Sequence, residues 1–225
     1  MLAPGLKPHL PVPAFTQPRF NVFDTSALRS SIETSLRELR TDRIDILLLH
    51  EIGVEDAARP ELLVFLDGLV REGKIGAFGL ATSFDETSRI IPSSPGLTNV
   101  VQFPSSAWDR NIEKLPELPD SLLVTHSCLG RRFHALRERL SADGDTRERF
   151  NNAVGFDLSD AGTLARLCLA HALWSDPDGI VLFSSFKPAN IQANATLAKS
   201  APMDTQVLSS FAQLLSEAEQ SRLAA

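Results

Sequence analysis

Tyrosine is absent from all 225 residues, so the chain has no phenol with which to pass a proton. Cysteine is nearly as scarce, with Cys128 and Cys168 each set in an apolar run. Two thiols in such surroundings argue against a disulfide or a metal site and for buried free thiols in a reducing compartment. Basic charge is not in excess: the formal net charge is −6. That balance argues against a nucleic-acid or anionic-membrane partner, which would need a clustered basic face. Arg131, Arg132, Arg137, Arg139, Arg147 and Arg149 do cluster, but Glu138, Asp143, Asp145 and Glu148 alternate with them, as on a solvated helical face.

Long apolar runs are missing as well. None approaches the ~20 residues that a bilayer-crossing helix needs. The start, Met1 to His9, has neither the charged head nor the apolar block of a signal peptide. The expectation is a cytoplasmic protein. Zinc-ligand spacing, a phosphate-binding glycine loop and a Gly-x-Ser-x-Gly elbow are all lacking.

What the chain does have is alternation. Residues 1–24, with Pro4, Pro8, Pro11, Pro13 and Pro18, read as an extended arm, and residues 25–225 as one α/β domain. From an N-cap near Asp24–Ser26, the apolar residues Leu28, Ile32, Leu36 and Leu39 fall at helical spacing. Ile44–Leu49 follows as a continuous apolar run, the pattern of a parallel strand buried on both faces. A helix from Pro60 to a C-cap near Gly73 comes next, then a strand over Ile75–Ala81 and a short helix over Asp85–Ile91. Val100–Phe103, Leu122–Thr125 and Ile180–Phe183 read as further strands. Helices are expected from Ser159 or Asp160 to Leu173, over Pro188–Ala198 and over Thr205–Glu219. Five strands alternating with helices predict parallel βαβ units.

Two segments carry a resemblance to a known family. Ser31-Ile-Glu-Thr-Ser-Leu-Arg-Glu-Leu-Arg-Thr-Asp-Arg-Ile-Asp-Ile-Leu-Leu-Leu-His50 resembles the helix and fourth barrel strand of the aldo-keto reductases. Leu69-Val-Arg-Glu-Gly-Lys-Ile-Gly-Ala-Phe-Gly79 resembles the helix and fifth strand. The resemblance extends over about residues 26–215, loosely over 104–160. It implies a partial (β/α)8 barrel, strands four to eight with their helices, because a full barrel of this type has eight strands. The family's aspartate, tyrosine and lysine come from the first three strands, which are not recognisable here.

The resemblance also implies roles for single residues. His50, at the end of its strand, matches the catalytic histidine that orients or polarises the substrate carbonyl. Thr82 and Ser83 stand where the family holds the nicotinamide carboxamide with Ser-Asn, and Gln102 matches a glutamine on the same amide. In Thr125-His126-Ser127-Cys128-Leu129-Gly130, His126 replaces the tyrosine that stacks on the nicotinamide, while Ser127 and Leu129 keep the pattern. Ser184, Ser185, Lys187, Asn190 and Asn194 match the last strand and the helix start that bind the adenosine phosphate end. Family members selecting NADP place an arginine where Asn190 stands, so NADP and NAD both remain open as cofactor.

The expected function is therefore oxidoreductase chemistry of the aldo-keto reductase type, NAD(P)H-dependent reduction of a small carbonyl compound. The chain as given is expected to be impaired or inactive, because it lacks the tyrosine and the first three strands. Two alternatives stand beside this: a non-catalytic nucleotide-binding or scaffold protein, and an internal start at Met1 within a longer active enzyme. Open sheet edges also raise the expectation of a homo-oligomer or poor solubility.

Overall fold

A computed structural model describes residues 23–223. The proline-rich segment, with its lysine at position 7, lies outside the described residues apart from Phe23 and Asp24. Both of these take part in the fold: Phe23 is buried in the core, and Asp24 caps the first helix.

The first helix, α1 (Thr25–Leu39), starts where the Asp24 carboxylate accepts from the Ser26 and Ala27 amides, both at 3.0 Å. Such a cap satisfies donors that the helix leaves without partners. Strand β1 (Ile44–His50) follows, then a one-turn helix α2 (Val54–Ala57). Helix α3 (Pro60–Arg71) opens on proline at its first position. It ends through Gly73, whose φ of 73° lets the Lys74 amide reach the Leu69 carbonyl at 3.0 Å. Its stripe Leu62, Leu66 and Leu69 is fully enclosed, each side chain adding roughly 2 kcal/mol by burial.

Strand β2 (Ile75–Ala81), helix α4 (Phe84–Ser93), β3 (Val100–Pro104) and β4 (Leu122–His126) continue the alternation. Then come α5 (Phe133–Ala142), α6 (Gly144–Val154), α7 (Ala161–Ser175), β5 (Ile180–Val181), α8 (Pro188–Lys199) and α9 (Thr205–Leu223). The five strands form one sheet in chain order, every pair parallel. This is the expected architecture. No described helix is long and apolar enough to cross a membrane.

One face of the sheet carries the helices. Leu47, Leu49, Phe78, Leu80, Val101, Phe103 and Leu123 pack there with α1, α3 and α4 in one core. A second core lies among α5, α6, α7 and α9, around Phe150, Leu164 and Phe211. Arg29 of α1 grips Glu72 at the end of α3 with two bonds of 2.9 and 3.0 Å. The Arg29 guanidinium holds the Glu72 carboxyl down at about 2.

Three details differ from the sequence reading. The β1 run is not buried on both faces: Ile46, on the face away from the helices, is 39% exposed. The last strand is shorter than Ile180–Phe183, because regular pairing with β4 stops at Val181 and the Leu182 amide makes one last bond to the Thr125 carbonyl at 2.7 Å. The charged stretch is two helices, α5 and α6, broken at Asp143. There the carboxylate accepts from the Asp145 and Thr146 amides and starts a new helix.

Sheet edges are β1 and β5. Helix α8, packed beside α7, buries none of its residues fully. Between them the sheet is set by a close approach at Gly79. A Cβ built there would lie 1.8 Å from the Val100 carbonyl oxygen, which is backbone and cannot step aside. Gly79→Ala should therefore cost about 3 kcal/mol or more, beyond ordinary overpacking. A urea-unfolding midpoint like that of the parent chain would contradict this.

Candidate functional site

Parallel pairing decides which side chains share a face, because residues in register point the same way. His50 registers with Ala81, Ala81 with Gln102, Gln102 with Val124, and Val124 with Ile180. His50 and Gln102 therefore both project from the face opposite the helices. Two residues further along the same pleat, Pro104 registers with His126, so His126 joins them. His50 and His126 sit at the carboxyl ends of their strands, the end at which sheets of this kind bind ligands, and Gln102 lies two residues short of the end of β3. His50 and His126 are three strand spacings apart, on the order of 14 Å along the sheet, too far to grip one small group but suited to flank a longer ligand.

The backbone turns sharply just after each histidine. Glu51 (φ 55°) follows His50, and Ser127 (φ 62°) follows His126, both left-handed although neither is glycine. Such residues are sparse in proteins and concentrate at functional sites, where the surrounding fold holds them. The Glu51 amide donates to the Ala81 carbonyl at 2.8 Å, which fixes the turn. Nothing in the sequence signalled these two positions, since Glu and Ser are not the residues that favour this conformation.

His126 is half-buried and its Nδ1 lies 2.8 Å from the Ser127 hydroxyl. Desolvation lowers its pKa below the usual 6.5, so the imidazole is held neutral near pH 7. Beyond it, the Gly130 amide donates to the Ser127 carbonyl at 2.7 Å and closes a tight turn. Within that turn Cys128 points into the interior and Leu129 outward, 39% exposed.

The residues after β2 are less free than their types suggest. Thr82 is buried, with a hydroxyl that meets no protein partner, and its amide donates to the Gln102 carbonyl at 3.2 Å. Ser83 caps α4: its hydroxyl accepts from the Glu86 amide at 3.3 Å. Gln102 does not close its strand, which runs on to Pro104.

The start of α8 forms a second group. Ser184, Lys187 and Asn190 are exposed, and Ser185 and Asn194 half-buried. The Ser185 hydroxyl accepts from the Lys187 amide and from the Asn190 side-chain amide, both at 3.2 Å. No side chain caps the helix itself. The result is an open helix start beside one lysine, a geometry that favours an anion. The structure thus joins His50, Gln102 and His126 on one face and gathers Ser184 to Asn190 at one helix start. No described hydrogen bond links the two groups.

The buried setting of His126 predicts its titration. An NMR titration should place its midpoint below 6.5, the direction set by desolvation. A midpoint at or above that value would mean that the ring is solvated or paired with an acid.

Known proteins share this fold. The sequence pattern of the Aldo/keto reductase family matches residues 21–114. Among solved structures, the glycerol dehydrogenase of Gluconobacter oxydans superposes with a TM-score of 0.64 at 18% identity, over 88% of this chain and 66% of that one. A thermostable aldo-keto reductase solved with the inhibitor epalrestat gives 0.61 at 21% identity, over 87% and 67%. The apo aldo-keto reductase of Bacillus halodurans gives 0.60 at 17%, over 84% and 68%. No curated protein matches the chain in sequence. The chain spans between 58% and 68% of the length of the solved structures it matches. The chain thus resembles the Aldo/keto reductase family in sequence over residues 21–114, and its fold is that of a partial aldo-keto reductase barrel.

Proposed function

We propose that this chain carries the cofactor-binding side of an aldo-keto-reductase-type oxidoreductase, with NADP or NAD as ligand, and that carbonyl reduction by the chain as given is impaired. The observation that carries this reading is the register row that sets His50 and Gln102, with His126 beyond, on one face toward the carboxyl ends of the strands.

The fit to a dinucleotide is uneven along its length. At the adenosine end, the exposed Lys187 ammonium and the uncapped start of α8 suit a phosphate. Asn190 offers an amide rather than a guanidinium fork, so it does little to separate NADP from NAD. At the nicotinamide end, the Ser83 hydroxyl is committed to capping α4 and the Thr82 hydroxyl is enclosed. Gln102 and the face of the half-buried His126 ring remain for the amide and the ring.

When bound, the cofactor would supply hydride to a carbonyl carbon. The chain's own task would be to hold the carbonyl oxygen and protonate it as charge develops there. His50, exposed at the end of β1, would be the residue to orient that oxygen. A phenol cannot serve as donor in a chain without tyrosine. Positioned general acids contribute about 10²–10⁴-fold, so turnover of aldehydes or quinones with NADPH or NADH should lie close to background. Steady-state assay checks this. Turnover near 1 s⁻¹ or faster, at the level of ordinary enzymes and abolished by His50→Ala, would refute it.

Binding is a separate readout. Because the better-formed contacts lie at the adenosine end, calorimetry should find NADP and adenosine bisphosphate binding alike and weakly, with Lys187→Ala weakening both. Binding tighter than about 1 µM (some −8 kcal/mol) that requires the nicotinamide ring would overturn this division. Weak binding without turnover would favour a nucleotide-binding protein that does no chemistry.

A further inference from the structure

On the helix-packed side of β4, behind His126, lies a buried polar cluster that the proposed site does not use. Thr125 of β4 and His171 of α7 are each 2% exposed. Neither the Thr125 hydroxyl nor His171 Nε2 finds a protein hydrogen-bond partner. Both line one small cavity of about 10 Å³, together with Ser105 and Ser106 of the loop after β3 and Ser175 of α7.

The protonation of the imidazole follows from its other nitrogen. The Ser175 hydroxyl donates to the His171 carbonyl at 2.9 Å, and its oxygen lies 3.3 Å from Nδ1. With that hydroxyl hydrogen spent, the oxygen can only accept, so Nδ1 carries the proton and Nε2 presents a lone pair. Burial pulls the pKa of His171 down to about 4, so the ring is neutral at ordinary pH; Glu113 and Arg110 act on it in opposite senses. The cavity therefore offers one acceptor without a donor and one hydroxyl without either. In a dry interior such groups are strongly unfavourable.

The volume sets the ligand. A cavity of roughly 10–15 Å³ admits one water, which needs two to four polar partners. No larger ligand fits. We propose that this cavity is the site of a single structural water that donates to His171 Nε2, accepts from the Thr125 hydroxyl and turns its second hydrogen toward the serine hydroxyls. The water would join α7, β4 and the loop after β3, three segments that meet directly behind His126.

A crystal structure of the full chain at atomic resolution tests this. One ordered water should stand about 2.7–3.2 Å from both Nε2 and the Thr125 oxygen. A dry cavity, or a Thr125 hydroxyl turned to bond Nε2 directly, would overturn the proposal. In solution, long-range ¹⁵N correlation should show Nδ1 protonated and Nε2 bare; the opposite tautomer would also overturn it. A cross-relaxation signal between water and the His171 ring protons should be present in the parent chain and lost in Thr125→Val. Its persistence in that variant would show that Thr125 is not a partner.

Discussion

The close passage of β2 and β3 at Gly79 is the constraint on which the functional face depends. With hydrogen as its side chain, Gly79 lets the backbone sit against the Val100 carbonyl, and that contact pins the register of the two strands. Register then propagates: Ala81 meets Gln102 on one side and His50 on the other. Side chains alternate along a strand, so a slip of one residue would turn Gln102 into the helix-packed core and Val101 out of it. The alignment of His50, Gln102 and His126 is thus decided by a residue with no functional group.

Much of this was legible before any coordinates. Continuous apolar runs between helical stripes announced parallel strands, and the five strands stand where those runs lie. Gly73 announced the end of α3 because only a left-handed residue lets the Lys74 amide reach back to Leu69. What stayed hidden depended on neighbours. Ile46 reads as core by its type, yet its exposure depends on whether another element covers that face. Phe183 reads as strand, yet pairing with β4 runs out before it. The charged stretch was expected to be a solvated helical face, and the break between α5 and α6 turned on one carboxylate at Asp143 outcompeting the helix.

The candidate site divides in the same way. Positions at strand ends could be assigned from the resemblance, because a strand's end follows from where its apolar run stops. Engagement could not. Ser83 has the hydroxyl that a carboxamide contact needs, but whether it faces a ligand or caps α4 is settled by the entry angle of that helix. Thr82 has the same chemistry and is enclosed. The left-handed turns at Glu51 and Ser127 left no trace in residue type, because the fold imposes them on residues that do not prefer them.

Helix α8 is the element whose anchoring matters most for what the molecule could hold. It buries no residue fully, and Phe186 before it and Ile191 within it stand exposed. Elements with few enclosed apolar contacts open with low free energy, independently of the global core. The phosphate-suited helix start therefore rides on a segment tied to the domain by few apolar contacts, with the partly buried Leu197 packed against the second core. Any anion captured there must first hold its own receptor in place, so part of its binding free energy goes into fastening α8 to the domain.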